Sequence, residues 1–450
     1  MQLDDLIAKR AYKAPKKTFC HIDGREYSYL KFNQHVQRMQ ATIRGLNLDS
    51  NRVVLDFDEK INLLAGLVAC NREKKIPVVI PIIKDRVKNV DYKLIAGKAA
   101  ELNNSCILQQ KNETPYQEYV YYSDDVQCIL FTSGTNGLPK PIELTFGNNY
   151  YSSKSWNKLL DFSKNDNYLN ILPISHIAGL SIFFRSVYFD FTVHYFQYSK
   201  KLLLDYIRLC RADYLSIVPK IGCDLLNNKE AGEALRHLKA LIVGGDAINR
   251  LFFSFCRDNE INAYISYGMT ETSSGIAGYF INKELVFCQN YVGIPHDNVK
   301  IDINENKRIQ VQSRMVAKNC TINSDIYVTN DIGVIKDDKI FFKNRSDQVI
   351  ISGGKNIDIG IIESSLLQFN PIFNFVVVGY DDLKWGAVPI IVYEKNRILV
   401  DKLELKKFCK RQLPGYMVPK YFIEIKKLPY LPNQKINYNE IKQIILSYLS

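Results

Sequence analysis

The sequence lacks long apolar runs, paired cysteines, internal repeats, low-complexity segments and any long block of one charge. No apolar stretch reaches the ~18 residues a helix needs to cross a bilayer. The longest, Ile76–Ile83, carries two prolines and reads as a buried strand and its exit. The opening residues Met1–Arg10 place acids early and hold no apolar signal core, which predicts a cytoplasmic protein without a membrane span. Ten cysteines are scattered without a CxxC pair, and the six histidines are equally dispersed. A zinc site needs such ligands clustered, so no structural metal is expected and the cysteines read as small buried apolar residues.

What is present is a globular composition, 46% hydrophobic and 24% charged over 450 residues. That length exceeds one ordinary core and fits a large domain with a smaller one. The formal charge is +12, yet Lys and Arg are interleaved with Asp and Glu, as in Asn71–Lys75 and Asn228–Lys239. A nucleic-acid surface would need a basic stripe or a motif. Neither is present, so no nucleic-acid partner is expected. A mild positive field would help collect polyanionic small molecules.

The first third alternates helical and strand patterns. Tyr29–Leu46 has helix-spaced apolar residues, Arg52–Phe57 is a short β-branched strand, Ile61–Asn71 is helical and Ile76–Ile80 is a fully apolar strand. This rhythm predicts parallel strands covered by helices. Strand-like runs recur at Cys128–Thr132, Tyr168–Leu172, Tyr214–Val218, Leu238–Val243 and Ala263–Ser266, each before a Gly, Pro or polar turn. Ligands of such sheets bind at the carboxyl ends of the strands. From about Val299 short β-rich stretches take over. A compact strand–helix–strand region with a helical tail follows Arg345, which puts a domain boundary near Asn344–Asp347.

Every chemically suggestive segment follows one of these strands. Leu130–Lys140 runs from an apolar strand into hydroxyl and glycine residues, then Pro139 and Lys140. Glycines let several N–H groups face one anion, and Ser, Thr and Lys add donors and charge. The segment is no Walker loop, because GxxxxGK[ST] is absent. A plain surface turn is the competing reading. Ser266–Thr272 (SYGMTET) puts an aromatic ring, a hydroxyl and a carboxylate close together, a set able to stack a base, bind phosphate and hold Mg²⁺. A capped helix start is its bland counterpart. In Tyr327–Gly333 and Asn344–Ile357 a buried-looking Asp after a strand could accept two ribose hydroxyls, or each segment is simply a β-turn, and Lys435 in Leu428–Ile436 would be a solvated lysine on composition alone.

In this order and spacing the segments resemble the adenylate-forming superfamily of acyl-CoA synthetases, peptide-synthetase adenylation domains and luciferases, from about Thr18 to Leu449. Leu172–Ser186 (LPISHIAGLSIFFRS), Ser216–Pro219, Val349–Ile357 and Trp385–Pro389 are similar to segments of the 2-succinylbenzoate–CoA ligase subfamily of menaquinone synthesis. The resemblance implies an α/β fold: a large N-terminal domain of stacked β-sheets and helices, residues 1–345, and a small mobile α+β C-terminal lid, residues 346–450. It implies ATP and Mg²⁺ as cofactors, coenzyme A as co-substrate and a carboxylic acid as substrate. The loop with Thr132, Ser133, Gly134, Thr135, Gly137 and Lys140 would close over the β- and γ-phosphates. Tyr267 would stack on adenine, Thr270 contact the α-phosphate, Glu271 hold Mg²⁺, Asp331 bind the ribose hydroxyls and Arg345 support them. Gly244, Gly245, Gly268, Gly353 and Gly354 would line the nucleotide site. His176 would line and gate the acyl pocket. Lys435 would reach the α-phosphate and carboxylate, and Asp347 would be the hinge of the lid.

The chain departs from the family pattern at Asn136, Asp246, Asn330, Gln348 and Gln434, and its Ile309–Tyr327 stretch is short. These departures bear on turnover rate and lid geometry, and none removes a charged catalytic group. Two other functions stay open at this level: the same chemistry on a fatty, aryl or amino acid, and a nucleotide-binding relative that has lost turnover. A homodimer is compatible with the sequence but not specified by it.

Overall fold

The computed structural model describes residues 1–46, 48–81, 91–97, 99–107, 117–133, 139–226, 228–322, 325–345, 349–369, 374–382, 385–395, 401–431 and 436–449. Among them the alternating pattern of the first third yields a five-stranded sheet in the order Ala100–Asn103, Arg52–Asp56, Ile76–Val79, Val126–Ser133, Pro139–Thr145. The first four run parallel and the last returns antiparallel. The β-branched runs pair because their side chains are buried on both faces: Val53, Val54 and Leu55 are all within 1% of full burial.

A second, thirteen-stranded sheet carries the parallel set Thr18–Ile22, Thr192–Tyr195, Asn167–Asn170, Tyr214–Ile217, Ala240–Gly244 and Ala263–Met269. It then continues antiparallel through Ser274–Phe280, Tyr291–Pro295 and the β-rich stretch ending at Arg345. The helices Tyr29–Gly45, Lys60–Arg72, Phe146–Leu160 and Ile177–Phe189 share one buried cluster with both sheets, joining Leu55 and Leu130 to Tyr168 and Val193. Their stripes can be wide because neighbours cover them on more than one side. Ile177–Phe189 is apolar nearly all round, starts at His176 in extended backbone and ends where Asp190 turns left-handed at φ 64°.

After Arg345 the strands change sheet. Val349–Ser352, Lys355–Asp358, Phe375–Asp382, Gly386–Glu394 and Tyr421–Ile425 form a separate five-stranded sheet. The helices Ile359–Phe369, Lys402–Gln412 and Tyr438–Leu449 accompany it, with two small cores of its own. No described helix is long and apolar enough to cross a membrane, and no described group of three or more His, Cys, Asp or Glu could hold a metal ion.

Candidate active site

The site grows from the carboxyl ends of the parallel strands. Val126–Ser133 and Pro139–Thr145 pair as a hairpin, with Thr132 opposite Lys140. Gly134, Thr135, Asn136 and Gly137 lie outside the described residues, as do the hinge candidate Asp347, the departure Gln348 beside it and the pair Gln434–Lys435. Ser133 is described in its backbone only, at the strand end.

Strand Ala263–Met269 brings Tyr267 and Gly268 to the same edge. Its pairing with Ser274–Phe280 shifts register between Tyr267 and Gly268. A Cβ on Gly268 would lie 2.1 Å from the Ser274 carbonyl oxygen, so the bulge requires glycine there. The chain turns through a short 3₁₀ helix, Thr270–Thr272, held by the Met269 N–H donating to Thr272 Oγ1 at 3.1 Å. This turn places Thr270 and Glu271 at the strand end instead of starting an α-helix.

Asp331 and Arg345 face each other directly across the hairpin of Ile326–Lys336 and Lys339–Arg345. Their side chains come within 3.9 Å. The Tyr267 hydroxyl donates to Asp331 Oδ2 at 2.6 Å. Burial pushes the Tyr267 hydroxyl well above its usual range, and the Asp331 charge adds to that. Burial likewise raises the Glu271 carboxyl, and Lys140 and Arg345 act against it. Because Lys140, Arg345 and Asp331 all act on Glu271, the structure brings together the residues singled out at four separate places in the chain. A half-buried carboxylate held against its desolvation, next to a Thr hydroxyl, suits a divalent cation. Glu271 and Thr270 fit Mg²⁺ by this donor chemistry.

The remaining candidates are placed as follows. Gly244 ends strand Ala240–Gly244 opposite Ser266, and Gly245 follows at φ +92°. Gly353 and Gly354 make the two-residue turn between Val349–Ser352 and Lys355–Asp358, where the Gly353 N–H donates to the Trp385 carbonyl at 2.7 Å. A Cβ on Gly353 would stand 3.0 Å from the Trp385 ring, and one on Gly354 would meet nothing within 4 Å. His176 is half-buried at the first turn of helix Ile177–Phe189. Two of the departures have visible roles: Asn330 Oδ1 accepts from Arg308 Nη2 at 2.7 Å, and Asp246 Oδ1 accepts from the Ala247 N–H at 2.8 Å.

Sequence reasoning assigned no role to Arg185 or Trp156. Arg185 lies in helix Ile177–Phe189, 3% exposed, and stacks on the Trp156 ring at 4.3 Å. It donates to Ser274 Oγ at 3.0 Å, and among the described residues its Nε has no hydrogen-bond partner and no ion pair neutralises it. Burial lowers its pKa to about 10. Met269 and Ser274 are opposite in register, so this cation sits one strand away from the Tyr267–Glu271 segment. The available signal was a lone Arg inside an otherwise apolar helix, since unpaired Arg is almost never fully buried.

An α/β sheet with acid, base, aromatic and hydroxyl groups converging at a strand-end bulge defines a nucleotide-handling enzyme. The comparison with known proteins names the family: residues 72–314 match the AMP-binding enzyme family, and the chain belongs to it. It is 25% identical over 97% of its length to 98% of the 2-succinylbenzoate–CoA ligase of Listeria monocytogenes serotype 4b (strain F2365). It is 29% identical over 77% of its length to 72% of the enzyme of that name from Staphylococcus aureus (strain Newman). Its fold is that of the O-succinylbenzoate coenzyme A synthetase of Bacillus subtilis solved with ATP and magnesium ion. The TM-score is 0.82 at 22% identity, covering 98% of this chain and 100% of that one.

Proposed function

We propose that this chain is an ATP-dependent acid–thiol ligase that forms an acyl-adenylate and passes the acyl group to coenzyme A, with 2-succinylbenzoate as the acid. The observation that carries the reading is the convergence of Lys140, Tyr267, Glu271, Asp331 and Arg345 at one strand end. The names of the relatives support it. Arg185 supports the particular acid: a buried cation with no carboxylate partner among the described residues suits a substrate bearing a second carboxylate.

The carboxylate oxygen of the acid attacks the α-phosphorus of ATP, forming the acyl–phosphate bond, and pyrophosphate leaves. The protein's part is alignment and charge stabilisation, since such transfers need little covalent help. Asp331 and Arg345 would hold the ribose and Tyr267 the adenine. Lys140 and Thr270 would steady the phosphates, Glu271 would hold Mg²⁺, and His176 would border the acyl pocket. When bound, Mg²⁺ neutralises polyphosphate charge. Lys435 would offset charge on the α-phosphate and carboxylate in this first step. The thiol of coenzyme A then attacks the acyl carbon, loses its proton and expels AMP. Two half-reactions at one site call for two domain arrangements. The change of sheet between Arg345 and Val349 supports domains at 1–345 and 346–450.

A pyrophosphate-release assay over a panel of carboxylic acids, with and without coenzyme A, tests the reading. Pyrophosphate release is expected to need Mg²⁺. 2-Succinylbenzoate is expected to exceed benzoate and octanoate by orders of magnitude in kcat/KM, because simple acids leave polar partners unpaired. Release of ADP and phosphate would overturn the chemistry, and better use of a fatty acid would overturn the substrate.

A further inference from the structure

Helix Pro219–Leu225 follows strand Tyr214–Ile217 at the ligand-bearing edge of the large sheet. It carries a small polar cluster. Lys220 Nζ donates to Asp224 Oδ1 at 3.0 Å within the helix, and Asp224 also accepts from Tyr198 Oη at 3.1 Å and Lys200 Nζ at 3.4 Å. Onto this cluster comes Tyr430 from the other end of the chain, its ring 5.5 Å from Lys220 Nζ. Tyr430 is half-buried, between Glu394 of its own sheet region and Asp224 and Cys223 of the helix. Tyr430 also pairs with Ile436 through an antiparallel bridge.

We infer that Tyr430, docked on Lys220 and Asp224, is a positioning residue that selects the arrangement of the C-terminal region used for adenylation. The inference rests on the proposed two-step ligase reading and goes beyond it, because it assigns the docking to a named contact between described residues. Lys220 is held in place for the ring by Asp224, and Asp224 by Tyr198 and Lys200, so the acceptor surface is preformed. A cation over a ring face needs the ring and not the hydroxyl. The contact is made in the arrangement this structure holds, which matches that of the ATP- and magnesium-bound relative over the whole chain at a TM-score of 0.82, and it is broken if the C-terminal region turns away, so it favours the first half-reaction.

The test uses the full-length enzyme and four variants: Tyr430→Ala, Tyr430→Phe, Lys220→Met and the double variant Tyr430→Ala/Lys220→Met. ATP–pyrophosphate exchange reads the first half-reaction. Thioester formation from synthetic acyl-adenylate and coenzyme A reads the second. Tyr430→Ala and Lys220→Met are each expected to slow exchange about tenfold, the scale of a partly desolvated cation–ring contact. They are expected to leave the thioester step within about twofold. Tyr430→Phe is expected to stay near the parent rate. The double variant is expected to be no slower than the worse single one, the mark of a shared interaction. Equal loss in both half-reactions, an unaffected Tyr430→Ala, additive losses or failure of the Phe variant would each overturn the inference. If the parent enzyme shows no exchange with any acid, the ligase reading itself fails. Protection of residues 428–431 from hydrogen exchange, with its loss in Lys220→Met, then tests the docking alone.

Discussion

Asp331 concentrates several constraints in one side chain. It is 7% exposed, accepts from the Tyr267 hydroxyl, and faces Arg345 across the hairpin. As acceptor of the ribose hydroxyls it would make charge-assisted bonds of about 1.5–3 kcal/mol each. Asp331→Ala is therefore expected to raise the KM for ATP tenfold or more while circular dichroism shows an intact fold. An unchanged KM would remove the residue from the site. Arg185 is the opposite case, a buried cation that no ion pair among the described residues neutralises. Arg185→Met is expected to raise the KM for a diacid about tenfold or more and to leave a monocarboxylic acid unaffected. It is also expected to raise Tm, because a desolvated charge is removed from the core. A fall in Tm with no effect on diacid KM would make Arg185 structural.

At the scale of elements, the bulge in strand Ala263–Met269 turns a regular sheet into a site. The register shift at Tyr267/Gly268 aims the tyrosine at Asp331 and starts the turn that delivers Thr270 and Glu271. Gly268→Ala forces a methyl group against the Ser274 carbonyl. Such overpacking costs about 1–3 kcal/mol. The variant is expected to lose that much stability in urea unfolding and to bind ATP more weakly. A variant with parent-like stability would show that the strands can part there without cost. The sequence pattern located these strands within a few residues, because β-branched and aromatic runs bounded by Gly and Pro say where strands are. It gave no hint of the bulge, since the clash that fixes it involves Ser274 on the next strand.

At the scale of the whole molecule, two properties depend on how distant parts are buried together. The first is pH dependence. Burial holds the imidazoles of His35, His194 and His296 down to about 4, against 6.5 when free. Between these values the unfolded chain binds the extra protons, so stability falls as pH falls through this window. Glu363 acts in the other direction. Burial, with Asp246 and Asp358 adding to it, pushes its carboxyl up to about 7 from 4.5. The folded state then holds the extra proton, and this contribution is lost as pH rises from about 4.5 to 7. Three imidazoles outweigh one carboxyl, so Tm is expected to climb from pH 4.5 to 6.5. Glu363→Gln is expected to match the parent near pH 4.5 and to exceed it at pH 8. A Tm that is flat over the acid range, or a variant shifted equally at both pH values, would contradict this. The second, which follows from the proposed ligase reading, is the separation of two half-reactions. Losing one charge-stabilising contact in a closed site costs about 3 kcal/mol, or a hundredfold in rate. Lys435→Ala is thus expected to slow acyl-adenylate formation at least a hundredfold and to leave thioester formation from synthetic acyl-adenylate nearly intact. Equal loss in both assays would rule out domain alternation as the mechanism.

Local structure and chemical alphabet were legible in the order of the residues. Helix periodicity marked Tyr29–Leu46 and Ile61–Asn71, where the structure has Tyr29–Gly45 and Lys60–Arg72, and apolar runs marked the strands. Motif order marked Tyr267, Glu271, Asp331 and Arg345 as one set, because backbone turns and side-chain types are properties of short segments. The tertiary structure alone decided which charges meet. Arg185 became a buried, unneutralised cation only when Trp156, from a helix that precedes it in the chain, closed over it. Asp246 came to influence Glu363, and Tyr430 to rest on Lys220, only when the C-terminal sheet region packed against the large one. Burial and long-range electrostatics depend on which surfaces lose water together, and no single segment carries that information.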